Sequence, residues 1–378
     1  MLAAGPLLVA SITTEPFAVA MSMFAQRLPW FLFGLQAGAI IDRVDRRRLI
    51  IVVDMIRAVV QGLLAITIVF DVVSLPIVYL TMFLLGTAET LTDNAGGALL
   101  ATAVPKQGLG QANARLFGSM MVTNQLVGPP LGALLFAAGL VFPFGFDAIT
   151  FVLSAVLITR VRIEPMLEPE TERPRVRQQV MEGLRWLWAH AAVRTLAIMI
   201  TAFNITFGAA FSIWVLYARE RLGLDAVGFG FLLAASAVGG LIGSAIFGSL
   251  EKRFAYSTLL RAGLILETFT HVALALTRSP WLAGSVMMAF GAHAVIWGTT
   301  STTIRQRSVP AALLGRVTSV YLIGGLGALA LGALLGGAIA QRWGVVAPFW
   351  FAFVGSAVIL AFTWRSIAQV THDAETTS

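Results

Sequence analysis

Glu89 and Asp93 lie four residues apart inside a long apolar run, and Arg27 sits at comparable depth in another. If the run is helical, that spacing puts both carboxylates on one face. A charge in an apolar membrane segment costs about 2.5–3.5 kcal/mol on insertion scales, so each is a candidate for function. Desolvation and a neighbouring arginine move a carboxylate's proton affinity in opposite directions, which suits a group that takes up and releases a proton. The alternative is a buried Arg27–Glu89 pair that fixes helix packing. Asp147, and Glu267 with His271, are weaker candidates of the same kind. Asn204 and Trp297 are candidates to line a path for a small molecule, with core packing as the alternative for each. The four histidines (His190, His271, His293 and His372) show no ligand spacing, and cysteine is absent, so no metal or other cofactor is expected. No nucleophile–base set and no phosphate-binding glycine loop is visible, and an enzyme is not expected.

The elements that must position these groups follow from composition. The chain is 58% hydrophobic and 12% charged, with a mean hydropathy of +0.84. Soluble domains carry about 45–50% apolar and about 25% charged residues. A polytopic membrane protein is therefore expected, and 378 residues allow about twelve spans of roughly 20 residues. Apolar runs predict helices at 15–41, 49–70, 75–102, 111–138, 141–161, 191–218, 226–249, 257–277, 280–303, 313–340 and 345–366. The preceding run, Leu2–Ile12, is about half the length needed to cross a bilayer and ends at the polar turn Thr13–Pro16. The expectation is a twelve-helix all-α protein with a shortened first helix, through a misplaced start in preference to a genuine truncation.

The net charge of +7 is distributed as a membrane protein requires, at alternate helix ends, which points to lipid and not to nucleic acid. With the loop at 42–48 inside, Lys106, Arg160, Lys252, Arg253, Arg305, Arg307, Arg316 and Arg365 are inside too. Arg219, Arg221, Arg278 and Arg342 fall outside. Residues 163–190, rich in Glu, Pro and Arg, separate a first helical bundle (1–162) from a second (191–367), and 368–378 form a tail. Both termini are then cytoplasmic. Within the separator Val176, Val180, Leu184 and Trp188 recur every four residues, predicting an amphipathic helix on the inner membrane surface. A passive linker is the alternative.

The run Gly38–Arg48 packs six charges into the seven residues from Asp42 to Arg48, directly between two apolar segments. It resembles motif A of the major facilitator superfamily, G-x-x-x-D-R-x-G-R-[KR]-[KR], with Asp45 where glycine is usual. The run Asn124–Gly132, with Gly128, Pro129 and Gly132, resembles that superfamily's motif C, associated with export; its prolines should bend the helix. A constant offset of 205 residues relates Gly34/Gly38 to Gly239/Gly243, Val104-Pro105 to Val309-Pro310, Gly110 to Gly315 and Gly132 to Gly337. Parallel repeats of this kind build transporters with a central site between the halves. Small-xxx-small pairs at Gly34/Gly38, Gly128/Gly132, Gly239/Gly243 and Gly332/Gly336 fall in the second, fifth, eighth and eleventh helices of the twelve-helix scheme. In the major facilitator fold these helices form the sliding contact between halves; ordinary close packing is the alternative.

Leu28–Leu35, Leu85–Asp93, Phe142–Ala148, Glu182–Trp188 and Leu314–Tyr321 resemble one branch, the bacterial enterobactin-exporter and macrolide-efflux-like proteins. The resemblance implies two six-helix bundles related by a pseudo-two-fold in the bacterial inner membrane. It implies proton-coupled export of an amphipathic small molecule, a drug or siderophore, by a monomer that alternates access. Asp42 is then expected near the start of the eleventh helix, where the helix dipole stabilises it by roughly 0.3–1 kcal/mol. Arg43 and Arg46 are expected to bridge to neighbouring helix ends. A nutrient facilitator or symporter of the same fold, and a truncated non-transporting membrane protein, are the competing readings. Because the chain lacks cysteine, orientation can be read by single-cysteine labelling. An impermeant maleimide should label Asp71→Cys in intact cells and Arg253→Cys only after permeabilisation; the reverse pattern would invert the topology.

Overall fold

The computed structural model describes residues 2–41, 44–105, 108–161 and 176–376. Asp42, Arg43 and Lys106 lie outside the described residues, as does the expected boundary at 162–163. Among the described residues the regular structure is helical throughout, the arrangement that satisfies every backbone polar group within its own segment in lipid. In chain order the helices are α1 (Ala4–Ile12), α2 (Pro16–Ile41), α3 (Arg46–Val69), α4 (Leu75–Ala103), α5 (Leu109–Met120), α6 (Gly128–Ala138) and α7 (Phe142–Ile158). There follow α8 (Val176–Ala189), α9 (Ala191–Phe211), α10 (Trp214–Glu220), α11 (Ala226–Arg253), α12 (Tyr256–Leu276), α13 (Pro280–Ser308), α14 (Ala311–Trp343) and α15 (Ala347–Thr376). A π-helical turn, Met121–Val127, joins α5 to α6. Nine spans among the described residues are long and apolar enough to cross a membrane. The expected helix 191–218 is broken at Ser212 and Ile213 into α9 and α10. There the Ser212 hydroxyl donates back to the Ala209 carbonyl at 3.1 Å, a bond that competes with the helical ladder.

The helices pack in two groups. In one, α2 lies against α4 and α3 against α4 and α7; in the other, α9 packs on α14 and α15, α11 on α13, and α12 on α13 and α15. Seams between the groups run along α2–α14 and along α6–α11. Their cores differ at the two ends. Away from the arginine-rich loop, one continuous core joins Leu8, Ala20, Val78 and Phe144 to Tyr217, Phe229, Ala340 and Phe349. At the arginine-rich end the cores are separate, with Ile41, Ile50, Ala95 and Leu99 in one and Leu196, Leu260, Ile304 and Tyr321 in another. Most described side chains of α5 are exposed. The halves are closed at one end and part toward the other.

Close-packed glycines carry these contacts, though not the pairs the spacing singled out. Gly239 and Gly243 lie against the backbone of Met288 and Ala292 on α13, and Gly332 and Gly336 against α9. Both pairs therefore serve packing inside one half. The seams between halves use Gly230, whose Cβ would meet the Pro129 carbonyl at 2.8 Å, and Gly337, which faces Ala20 and Phe17. Gly34 opens toward Ile323 at 4.0 Å, and Gly132 meets nothing within 4 Å. Gly38 belongs to α2, but its surroundings lie outside the described residues. Repeat symmetry brings glycine to matching positions without dictating which face each helix turns to its partner.

The amphipathic helix of the linker is present as α8. Its protein-facing stripe is Gly183 and Leu187, seated on the start of α14, while Leu184 and Trp188 are exposed. Adding a methyl at Gly239 forces side-chain overlap with the α13 backbone, so Gly239→Ala should destabilise by about 1–3 kcal/mol. Gly132→Ala, facing open space, should leave the midpoint of thermal unfolding in detergent unchanged or slightly raised; equal losses would contradict this packing.

Candidate functional site

α4 holds Glu89, half-buried, and Asp93, exposed, one turn apart in the middle of a span. The charges of Glu89, Arg57 and Arg27 all reach Asp93, so α2, α3 and α4 contribute to one electrostatic neighbourhood. The Arg27–Glu89 ion pair, the alternative reading of these charges, is not formed among the described residues. The arginine of this neighbourhood that does meet a carboxylate is Arg57, which sequence spacing did not single out. Its Nη1 lies 3.5 Å from Asp54, and its guanidinium stands 5.1 Å over the Phe151 ring. Asp54 also accepts from the Ser154 hydroxyl at 2.7 Å, which ties α3 to α7. Asp147 is used the same way, accepting from Gln61 Nε2 at 2.6 Å. Asp54 and Arg57 are an i,i+3 charge pair in an apolar helix, a pattern as legible as Glu89 and Asp93 but overshadowed by the nearby loop.

The second half contains a cavity of about 420 Å³ between α9, α12, α13 and α14. Asn204 and Trp297 both line it. Asn204 Nδ2 donates to the Gly325 carbonyl at 3.0 Å, and Trp297 is buried in the wall. His293, Trp297, Ser301 and Arg305 form a stripe of every fourth residue along α13, one helical face turned to the cavity. Glu267 meets His293 at 3.4 Å, and not His271, the other candidate on its own helix. His271 is fully buried and its nearest ring contact is Phe211. The i,i+4 relation of Glu267 and His271 fixes a helix face but not which neighbour that face meets. Gly263 lets α12 approach closely, since a Cβ there would lie 2.6 Å from His293 Nδ1. Ser301 Oγ and Tyr321 OH are 3.0 Å apart, and the Arg305 guanidinium lies 4.2 Å over the Tyr321 ring.

At the loop, Asp45 is the N-cap of α3, its carboxylate accepting the Arg48 backbone N–H at 3.0 Å. Arg47 bridges to a neighbouring helix end, donating through Nε to the Ile158 carbonyl at 3.1 Å and through Nη2 to Thr159. A cation at the C-terminus of α7 satisfies free carbonyls there. Arg46, assigned that role from sequence, makes no ion pair with a described residue. Asp42 and Arg43, and hence the expected contact with the start of α14, are outside the described residues. In the proline run, Asn124 is exposed within the π turn. Gly128 N–H bonds to the Thr123 carbonyl, and a Cβ at Gly128 would lie 2.7 Å from that oxygen. Pro129 is buried against α11 through Gly230. The bend is a widened turn that accommodates two prolines, with Gly128 packed on its own chain.

Two helical groups closed at one end, with glycine-lined seams and charges in mid-span, describe a transporter architecture, and comparison with known proteins agrees. The family model for transmembrane secretion effectors matches residues 2–376. The chain belongs to this family of the major facilitator superfamily. Its relatives include the multidrug efflux pump Tap of Mycolicibacterium fortuitum, 26% identical over 86% of this chain and 81% of that protein. Macrolide efflux protein A of Streptococcus pyogenes is 25% identical over 92% and 86%, and the enterobactin exporter EntS of Shigella boydii serotype 18 is 26% identical over 88% and 79%. Among solved structures, the nucleoside transporter NupG superposes with a TM-score of 0.75 at 10% identity, covering 97% of this chain and 93% of that one. A bacterial ferroportin homologue in an inward-facing state gives 0.72 at 15%, covering 97% and 93%. The fold of this secretion-effector protein is that of major facilitator transporters.

The departure at Asp45 now has a physical reason: a helix cap stands where the family pattern has glycine. Replacing an Asp cap by alanine costs about 0.5–2 kcal/mol, and by glycine only a few tenths. Asp45→Ala should therefore lower the unfolding midpoint measurably, while Asp45→Gly should stay near wild type.

Proposed function

We propose that this protein is a proton-coupled exporter of an amphipathic small molecule, a drug or siderophore, working by alternating access in the bacterial inner membrane. The observation that carries the reading is Asp93, an exposed carboxylate in mid-span with Glu89, Arg57 and Arg27 acting on its charge. A carboxylate there can trade a proton for substrate, because Arg27 and Arg57 offer it counter-charge when the site is empty. The excess of arginine at the open end supports placing that end, and both termini, in the cytoplasm. The conformation is then the one that loads an exported compound. Efflux named for the relatives Tap and macrolide efflux protein A supports the direction. Nothing in the arrangement requires a second subunit, and a monomer suffices.

Dye or macrolide efflux from cells tests this. Asp93→Asn should fall to the rate that wild type shows with its pH gradient collapsed, and Glu89→Gln should weaken or displace the coupling. Normal export by both variants, with and without the gradient, would remove proton coupling through α4.

A further inference from the structure

The cavity in the second half carries a charge that the α4 acids do not serve. Arg305 is 6% exposed, lines the cavity and makes no ion pair with any described residue. Its Nε is buried without a hydrogen-bond partner, and among the described residues its side chain meets Thr302 Oγ1 through Nη2 at a long 3.4 Å and the side chain of Tyr321. A guanidinium offers five donors in a planar fork that fits carboxylate or phosphate. Burying such a cation unpaired is costly unless something completes it. The one acid among the described residues of the cavity wall, Glu267, is at His293, which is twelve residues from Arg305, about 18 Å along α13. That acid is out of reach of Arg305, whose charge has no carboxylate beside it among the described residues.

We propose that this cavity binds an organic anion with an aromatic body, its acidic group taken by Arg305 and its ring by the aromatic wall. Phe207 and Phe290 stack at 5.4 Å, and Trp297 lies between them and the Arg305 end along the α13 stripe. Tyr321 covers one face of the guanidinium, and the Nε on its edge is unpartnered. A cationic ligand would bring a second positive charge to an end of the site with no carboxylate among the described residues. Ala294 and Leu322, both exposed, mark the side on which the cavity opens. The inference rests on reading the chain as a small-molecule exporter and adds the class of solute.

Binding to the detergent-purified full chain tests it, with 2-naphthoate, its methyl ester and 2-naphthylmethylammonium as probes. Wild type should bind the acid about tenfold or more tightly than the ester, the scale of a charge-assisted hydrogen bond. Arg305→Gln should bring the two to near equality, Arg305→Lys should keep part of the preference, and Tyr321→Phe, which retains the ring, should keep it. Equal binding of acid and ester by wild type, or an unchanged ratio in Arg305→Gln, would overturn the proposal. The wild-type comparison needs no variant to fold. Naphthoate binding should be the same in nanodiscs of phosphatidylcholine and of phosphatidylglycerol; displacement by the anionic lipid alone would mean that the site holds a lipid headgroup and would also overturn it. No proton gradient exists in detergent, so failure of gradient-driven efflux and failure of anion preference are separate results.

Discussion

Everything in this structure depends on where the two helical groups share apolar side chains. At one end they form a single core, running from Leu8 and Phe144 to Tyr217 and Phe349; at the arginine-rich end each keeps its own. Within lipid there is no hydrophobic gain from pressing helix on helix, so these contacts rest on van der Waals fit and small residues. Across the seams that fit is close where Gly230 meets Pro129 and where Gly337 meets Ala20 and Phe17. A contact made of shape can be released and remade at the other end without exposing unsatisfied backbone. The same constraint leaves the space between the halves accessible to the mid-span charges.

The charges divide by partner. Asp54, Asp147, Arg57 and Gln61 are tied to one another or to Ser154, and they hold α3 against α7. Arg47 closes the end of α7, and Arg316 pairs with Glu182, clamping the linker helix α8 to α14 where Gly183 allows close approach. Helix α8 is thus seated on α14, in the second half. Asp93 and Arg305 differ from all of these, since neither has an ion-pair partner among the described residues. They stand in opposite halves and carry opposite charge.

Much of the fold was legible because a membrane span writes itself into length and hydropathy. The boundaries of α2, α3, α4, α11 and α14 fall within a few residues of the apolar runs. The stretches Glu182–Trp188 and Leu314–Tyr321, far apart in sequence, face each other across α8 and α14. The candidate site was read less completely. Glu89 and Asp93 stand out as i,i+4 acids, and Asn204 and Trp297 do line a cavity. The pairing of Glu267 with His293, the exposure of Arg305 to the cavity and the use of Arg47 instead of Arg46 were not legible. Each depends on a neighbour far away in sequence.

By itself the sequence determined that this chain is a bundle of membrane helices, which way its charges are distributed, and that it is built as a repeat with a motif A loop. Those properties follow from composition and spacing along one helix, where the geometry is known in advance. Tertiary structure decided which glycines sit between halves and which sit inside one, which histidine meets Glu267, and at which end the halves part. These are questions of helix rotation and pairing. A repeat of 3.6 residues fixes which side chains share a face, but only packing fixes what that face meets.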